Sequence, residues 1–111
     1  PYGSPAAGLF VYTPGGHLSL HLHRNPPGEK FQRRPSDSEL GAVARNYIGY
    51  YGTWSIAGNS VVHHIDGAML PNRIGQDAAR PYTLCGDVLE LSIVGSDGRT
   101  FYRRLERIES F

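Results

Sequence analysis

Turn-forming residues recur along this chain at short intervals, and that punctuation limits the fold more than any other feature. Pro14-Gly15-Gly16, Asn25-Pro26-Pro27-Gly28, Gly58-Asn59, Gly86-Asp87 and Ser96-Asp97-Gly98 each combine residues that favour reversals. Fourteen Gly and eight Pro make up a fifth of the 111 residues. In a helix interior Gly costs about 1 kcal/mol and Pro about 3, so long helices are excluded. The segments between the turns are β-like, and seven Tyr add to their strand propensity. Seven strands are expected: Gly8–Thr13, Leu18–Arg24, Tyr47–Ile56, Ser60–Leu70, Arg80–Cys85, Val88–Val94 and Arg99–Ile108.

One segment breaks the β pattern. Ser36 is followed three residues later by Glu39, the spacing of a capping box. Leu40, Val43, Ala44 and Tyr47 then repeat at helical spacing, which predicts one short helix over Asp37–Asn46, lying across an end or side of the sheet. The two-residue connections at Gly58-Asn59 and Gly86-Asp87 suit tight hairpins, so sequential strands should run antiparallel. In Leu18–Arg24 the residues Leu18, Leu20 and Leu22 share one face, and His17, Ser19, His21 and His23 share the other. One apolar and one mixed face per strand fits a small barrel with a semi-polar interior, and equally a sheet with one wet side.

The length supports a single domain. Hydrophobic residues at 40% and charged residues at 19% exclude disorder as the chain's general state. A net charge of +1 provides no field to steer nucleic acid, so no nucleic-acid partner is expected. No apolar run approaches the roughly 20 residues of a membrane span, and no signal-type segment is visible, so the expected location is the cytoplasm with no membrane partner. The lone Cys85 excludes an internal disulfide and reads as a buried, inert thiol.

A family resemblance emerges from Tyr50 onward. Tyr50-Tyr51-Gly52-Thr53-Trp54, Val61-Val62-His63-His64-Ile65-Asp66, Leu70-Pro71-Asn72, Gly75, Arg80-Pro81-Tyr82 and Gly86-Asp87-Val88-Leu89-Glu90-Leu91 follow one another in order. Upstream, Gly8-Leu9-Phe10-Val11-Tyr12-Thr13 and Gly16-His17-Leu18-Ser19 supply a strand, a turn and a second strand. This succession resembles the small lipocalin-like domain family of bacteria and fungi over nearly the whole chain. The resemblance implies an all-β fold: a lipocalin-like antiparallel up-and-down β-barrel of eight strands around a small-molecule cavity. It also implies that Arg107 occupies the place of a final-strand Arg that tends to pack over a first-strand Trp. The family's opening Gly-x-Trp strand has no counterpart here, and the chain begins at Pro1 with no initiator Met. Seven strands leave an open edge. The expectation is therefore an eighth strand upstream, or one supplied by a partner, and the edge allows a homodimer. A second departure is Arg73, which stands where the family usually has an aromatic.

Histidines carry the main chemical signal. His63 and His64 are adjacent on one strand, so one faces inward and the other outward. An inward His can move a proton near neutral pH. Arg80, placed as in the family pattern, can hold an oxyanion, or else form a salt bridge with Asp66 or Asp77. His64, or His63 with the face reversed, together with Arg80, forms the candidate catalytic set. Tyr12, His21, His23, Tyr51, Trp54, Asn72 and Arg73 form the candidate ligand-binding set. His21-x-His23 plus a third His raises the alternative of a metal, but no metal and no cofactor are expected.

Three functions follow from this reading. The first is a cofactor-free isomerase or cyclase of natural-product biosynthesis acting on a small, hydrophobic, oxygenated ligand. The second is a passive carrier or sensor of such a ligand. The third is an interaction module that assembles through the barrel edge.

Overall fold

A computed structural model of the chain describes residues 6–24, 28–95 and 97–109. Pro1 and the turn residues Asn25, Pro26, Pro27 and Ser96 lie outside the described residues. The strands are β1 (Ala7–Tyr12), β2 (His17–His23), β3 (Tyr47–Ala57), β4 (Ser60–Ala68), β5 (Asp77–Cys85), β6 (Val88–Val94) and β7 (Thr100–Glu106). They form one antiparallel meander in chain order, a nearly closed barrel whose last strands β1 and β7 have one partner each among the described residues.

Two hairpins show how the sequence sets the register. Ala57 pairs with Ser60 and Cys85 pairs with Val88, so each loop has two residues. Gly58 and Gly86 both have φ of 59°, whereas no non-Gly residue among those described has positive φ. A positive φ at only the first central residue is the pattern of a type II′ turn, which takes Gly there and matches the twist of the flanking strands.

The apolar face of β2 turns inward. Leu18, Leu20 and Leu22 are buried, and Leu18 and Leu20 share a core with Tyr50 and Ile65. Phe10, Tyr12, Ile48, Trp54 and Ala68 pack around them. Burying each such aliphatic side chain contributes about 1.5–3 kcal/mol. Leu91 of β6 is buried on the same side of the meander, opposite Tyr82 of β5 and Arg103 of β7.

β5 starts at Asp77, three residues before the expected Arg80, because Asp77 and Ala78 continue the ladder opposite His64 and His63. A β-bulge interrupts the β3–β4 ladder. Tyr51 pairs with Gly67 but Gly52 pairs with Ile65, so Asp66 is the extra residue.

The short helix α1 spans Asp37–Arg45 and has the expected capping box. Glu39 Nα–H donates to Ser36 Oγ, and Ser36 Nα–H donates to Glu39 Oε1. Arg33 adds a fork to both Glu39 oxygens at 2.8 and 3.3 Å, and this lowers the carboxyl pKa to about 2. None of its residues is buried, and Leu40 and Val43 remain about half exposed. Losing the cap by Ser36→Ala should weaken the helix by about 1 kcal/mol. The expected readout is faster amide exchange over residues 39–45 with little change in global melting, since the helix adds no buried core.

Among the described residues no helix is long and apolar enough to cross a membrane. Cys85 is exposed, which corrects the expectation of a buried thiol. It ends β5 beside the Gly86 turn, where the strand leaves the packed face.

Candidate functional site

The bulge at Asp66 decides which histidine enters the interior. Counting inward from Ala68, which pairs with the buried Tyr50, strict alternation would carry the apolar face to Asp66 and His64. The extra residue shifts that parity, so Ile65, His63 and Val61 face the core. His63 is 1% exposed, and no other polar residue reaches that degree of burial among those described.

Two tyrosines hold His63. The Tyr12 hydroxyl lies 2.7 Å from Nε2, and the Tyr50 hydroxyl lies 2.6 Å from Nδ1. They come from β1 and β3, so three strands meet at one imidazole. Burial first, and then the nearby Arg80 and His64, push the His63 pKa from 6.5 to about 4. The ring is therefore neutral at pH 7. Burial likewise raises Tyr12 and Tyr50, which stay protonated.

Hydrogen counting constrains this trio. A neutral imidazole has one N–H and one bare nitrogen. One tyrosine must donate to the bare nitrogen, and the other must accept from the N–H. The accepting tyrosine keeps a hydroxyl proton that His63 does not use. Exchanging the imidazole tautomer moves that spare donor from one tyrosine to the other.

Arg80 joins from β5. It pairs with Val61 while Ala78 pairs with His63, so it shares the inward face and is half-buried. Its charge acts on Tyr12, Tyr50 and His63. Arg73 lies in a short 3-10 turn after β4 (Pro71–Arg73), is half-buried, and also acts on Tyr50. Trp54 closes the cluster by an edge-to-face contact with Tyr12, at 5.7 Å and 86°, and by donating Nε1–H to Thr13 O.

Other singled-out residues lie elsewhere. His64 points outward, with Nδ1 2.8 Å from Asp77 Oδ1 and Nε2 2.9 Å from Ser55 Oγ. That removes Asp77 from the salt bridge considered for Arg80. The Ser55–His64–Asp77 row resembles a nucleophile, base and orienting acid in connectivity. It lies on an open sheet face with Ser55 exposed, and such a site does not exclude water from a reacting acyl group.

Tyr51 is 60% exposed on the outer face, its ring laid over Gly67. It borders an open groove of about 530 Å³ together with His21, Tyr47 and Asp66. His21 Nδ1 meets the Tyr47 hydroxyl at 2.7 Å, and the His23 ring stacks on Tyr47. A second groove of about 720 Å³ lies between α1 and residues 28–31. Asn72 is exposed on the 3-10 turn. Arg107 lies beside Asp87, to whose carbonyl its backbone N–H donates. Among the described residues no group of three His, Cys, Asp or Glu is placed to hold a metal ion.

The structure thus brings together Tyr12, Trp54, His63, Arg73 and Arg80, and leaves His21, His23, Tyr51, His64 and Asn72 outside that cluster. Tyr50 is the residue that sequence reasoning missed. Alternation in β3 held the signal: with Trp54 inward, Gly52 and Tyr50 follow it and Tyr51 does not.

A family model described as a lipocalin-like domain matches residues 1–100. The 4'-hydroxy-3'-methoxypropiophenone carrier protein ppsC of Aspergillus oryzae (strain ATCC 42149 / RIB 40) is 30% identical over 89 residues, covering 66% of this chain and 80% of that relative. No solved structure matches the chain significantly.

Proposed function

This chain belongs to the lipocalin-like domain family, and we propose that its interior binds and carries a small, apolar, oxygenated molecule. The supporting observation is His63, fully buried yet neutral, held by Tyr12 and Tyr50 inside an otherwise aliphatic and aromatic face. Polar groups in such surroundings are costly unless paired, and a spare hydroxyl proton there suits a ligand oxygen. The similar carrier's name gives its cargo as 4'-hydroxy-3'-methoxypropiophenone, an aromatic ketone of this chemical kind.

Trp54, the single tryptophan, touches Tyr12 and reports on this site. Titration with a hydroxylated aryl ketone such as 4-hydroxyacetophenone should change Trp54 emission saturably. Tyr12→Phe should weaken binding about tenfold, the effect of one lost hydrogen bond to a buried partner. Tyr51→Ala, on the outer face, should leave the affinity unchanged. Equal affinity in Tyr12→Phe, or loss in Tyr51→Ala, would remove the interior as the binding site.

The tautomer exchange of His63 favours a second reading, an isomerase or cyclase. A proton taken at one tyrosine can be released at the other with no net charge left on the ring. Arg80 would stabilise the enolate formed in between. This reading expects deuterium from D₂O to enter the ligand's α-carbon in the presence of the protein, and the exchange to stop in His63→Gln. Binding without exchange leaves carriage alone.

A further inference from the structure

We infer that the interior takes its ligand as an oxyanion, a phenolate or enolate, held by Arg80 and Arg73. The inference rests on the interior being the ligand site and specifies which form of the ligand it selects.

Charge counting around the cluster leads there. Arg80 is inward by register, and Arg73, on the turn after β4, acts through its charge on the same Tyr50. Both are half-buried. Among the described residues neither has a carboxylate within ion-pair distance: Glu39 pairs with Arg33, Asp77 with His64, Asp87 with Arg107, Asp97 with Arg99 and Glu106 with Arg104. Asp66, the remaining candidate for Arg80, borders the outer groove instead. The groups from β1, β3 and β4 that feel the Arg80 charge are Tyr12, Tyr50 and His63, and Tyr50 also feels Arg73; all three are neutral at pH 7.

The cluster therefore carries two positive charges and no negative one. A partly desolvated guanidinium without a counter-charge is unfavourable, and a bound anion relieves both at once. The donors fit the same ligand. Arg offers a planar fork, and the tyrosine that accepts from His63 offers its own O–H, so an oxyanion would receive several hydrogen bonds. The tyrosine oxygens keep lone pairs for a phenol's proton, but the guanidiniums can only donate, so the positive charge gives the oxyanion the advantage over the neutral phenol. A phenol taken up in this form gives its proton to solvent on entry, and no bond to carbon is made or broken.

A nitrophenol tests this directly, since its phenolate is yellow and its phenol colourless. Bound 4-nitrophenol should titrate about 1–2 pH units below the free molecule, the effect of cations at close range. 4-Nitroanisole, its neutral methyl ether, should bind at least about tenfold more weakly near neutral pH, as read by Trp54 emission. Arg73→Gln should raise the titration midpoint back towards that of free nitrophenol. Arg80→Lys, which keeps the charge and lowers the risk of misfolding, should retain most of the shift. An unchanged midpoint for a nitrophenol that still alters Trp54 emission overturns the inference and leaves the proposed binding intact. No response of Trp54 to phenol or ether overturns both.

Discussion

Lowering the pH from 7 to 4 should remove about 3 kcal/mol of folding stability through His63 alone. The folded protein holds this imidazole at about 4, against 6.5 for a free histidine, and each unit of difference corresponds to about 1.36 kcal/mol. Above pH 6.5 neither state binds the proton and the contribution is fully present. Between 6.5 and 4 the unfolded chain takes up a proton that the folded one refuses, so stability falls with pH. Below about 4 both states are protonated and the loss stops growing. Domains of this kind have only about 5–15 kcal/mol in total, so the effect should be plain in urea midpoints measured at pH 7, 5.5 and 4. His63→Gln retains a donor and an acceptor but cannot charge, and its midpoint should stay flatter across the same window. Parallel pH dependence in both proteins would show that the buried imidazole is not the group responsible. Carboxylates are a separate contribution and act lower, Glu39 between about 4.5 and 2.

The same residue shows what could and could not be read from the sequence. Local chemistry was legible: Gly58 and Gly86 sit at turn positions that need positive φ, and Ser36 with Glu39 marks the helix start. The apolar face of β2 was equally visible, since Leu18, Leu20 and Leu22 alternate without interruption. The early part of β5 was not, because Asp77-Ala78-Ala79 lacks β-branched and aromatic residues. It is a strand because β4 offers a ladder to it. The helical stripe located the helix, but local periodicity shows an apolar face and not whether anything covers it.

The site was half legible for a reason of parity. Adjacent His63 and His64 had to face opposite ways, but assigning the faces depends on the bulge at Asp66, which arises between two strands. Tyr50 and Tyr51 pose the same problem on β3, and there the odd spacing from Trp54 to Tyr51 was a usable signal. Arg73 stood out as a departure from the family pattern. Its electrostatic reach to Tyr50 depends on the turn after β4, and no single-strand rule supplies that. What joins these cases is that alternation is local, whereas the phase of each strand is fixed by its neighbours.

That phase is held at Gly52, where the largest mutational effect is expected. A β-carbon at this position would overlap the carbonyl oxygen of His64 and press on the amide of Asp66. Both are backbone groups of the bulge, so no side chain can swing aside to make room. Gly52→Ala should force β3 and β4 apart where the register shifts, costing at least about 3 kcal/mol, the upper end for overpacking. For a domain of this size that is a fall in Tm of roughly 10–15 °C. Parting the strands there also moves His63 away from Tyr50, so surviving folded protein should bind the nitrophenol poorly. Gly28→Ala is the matched control, since a β-carbon at Gly28 meets nothing within 4 Å, and its effect should stay within about 0.5 kcal/mol. Equal melting of the two variants would mean that the close approach at the bulge does not set the strand phase. A Tm loss confined to Gly52→Ala, together with loss of nitrophenol binding, ties the inward turn of His63 to one missing side chain on the neighbouring strand.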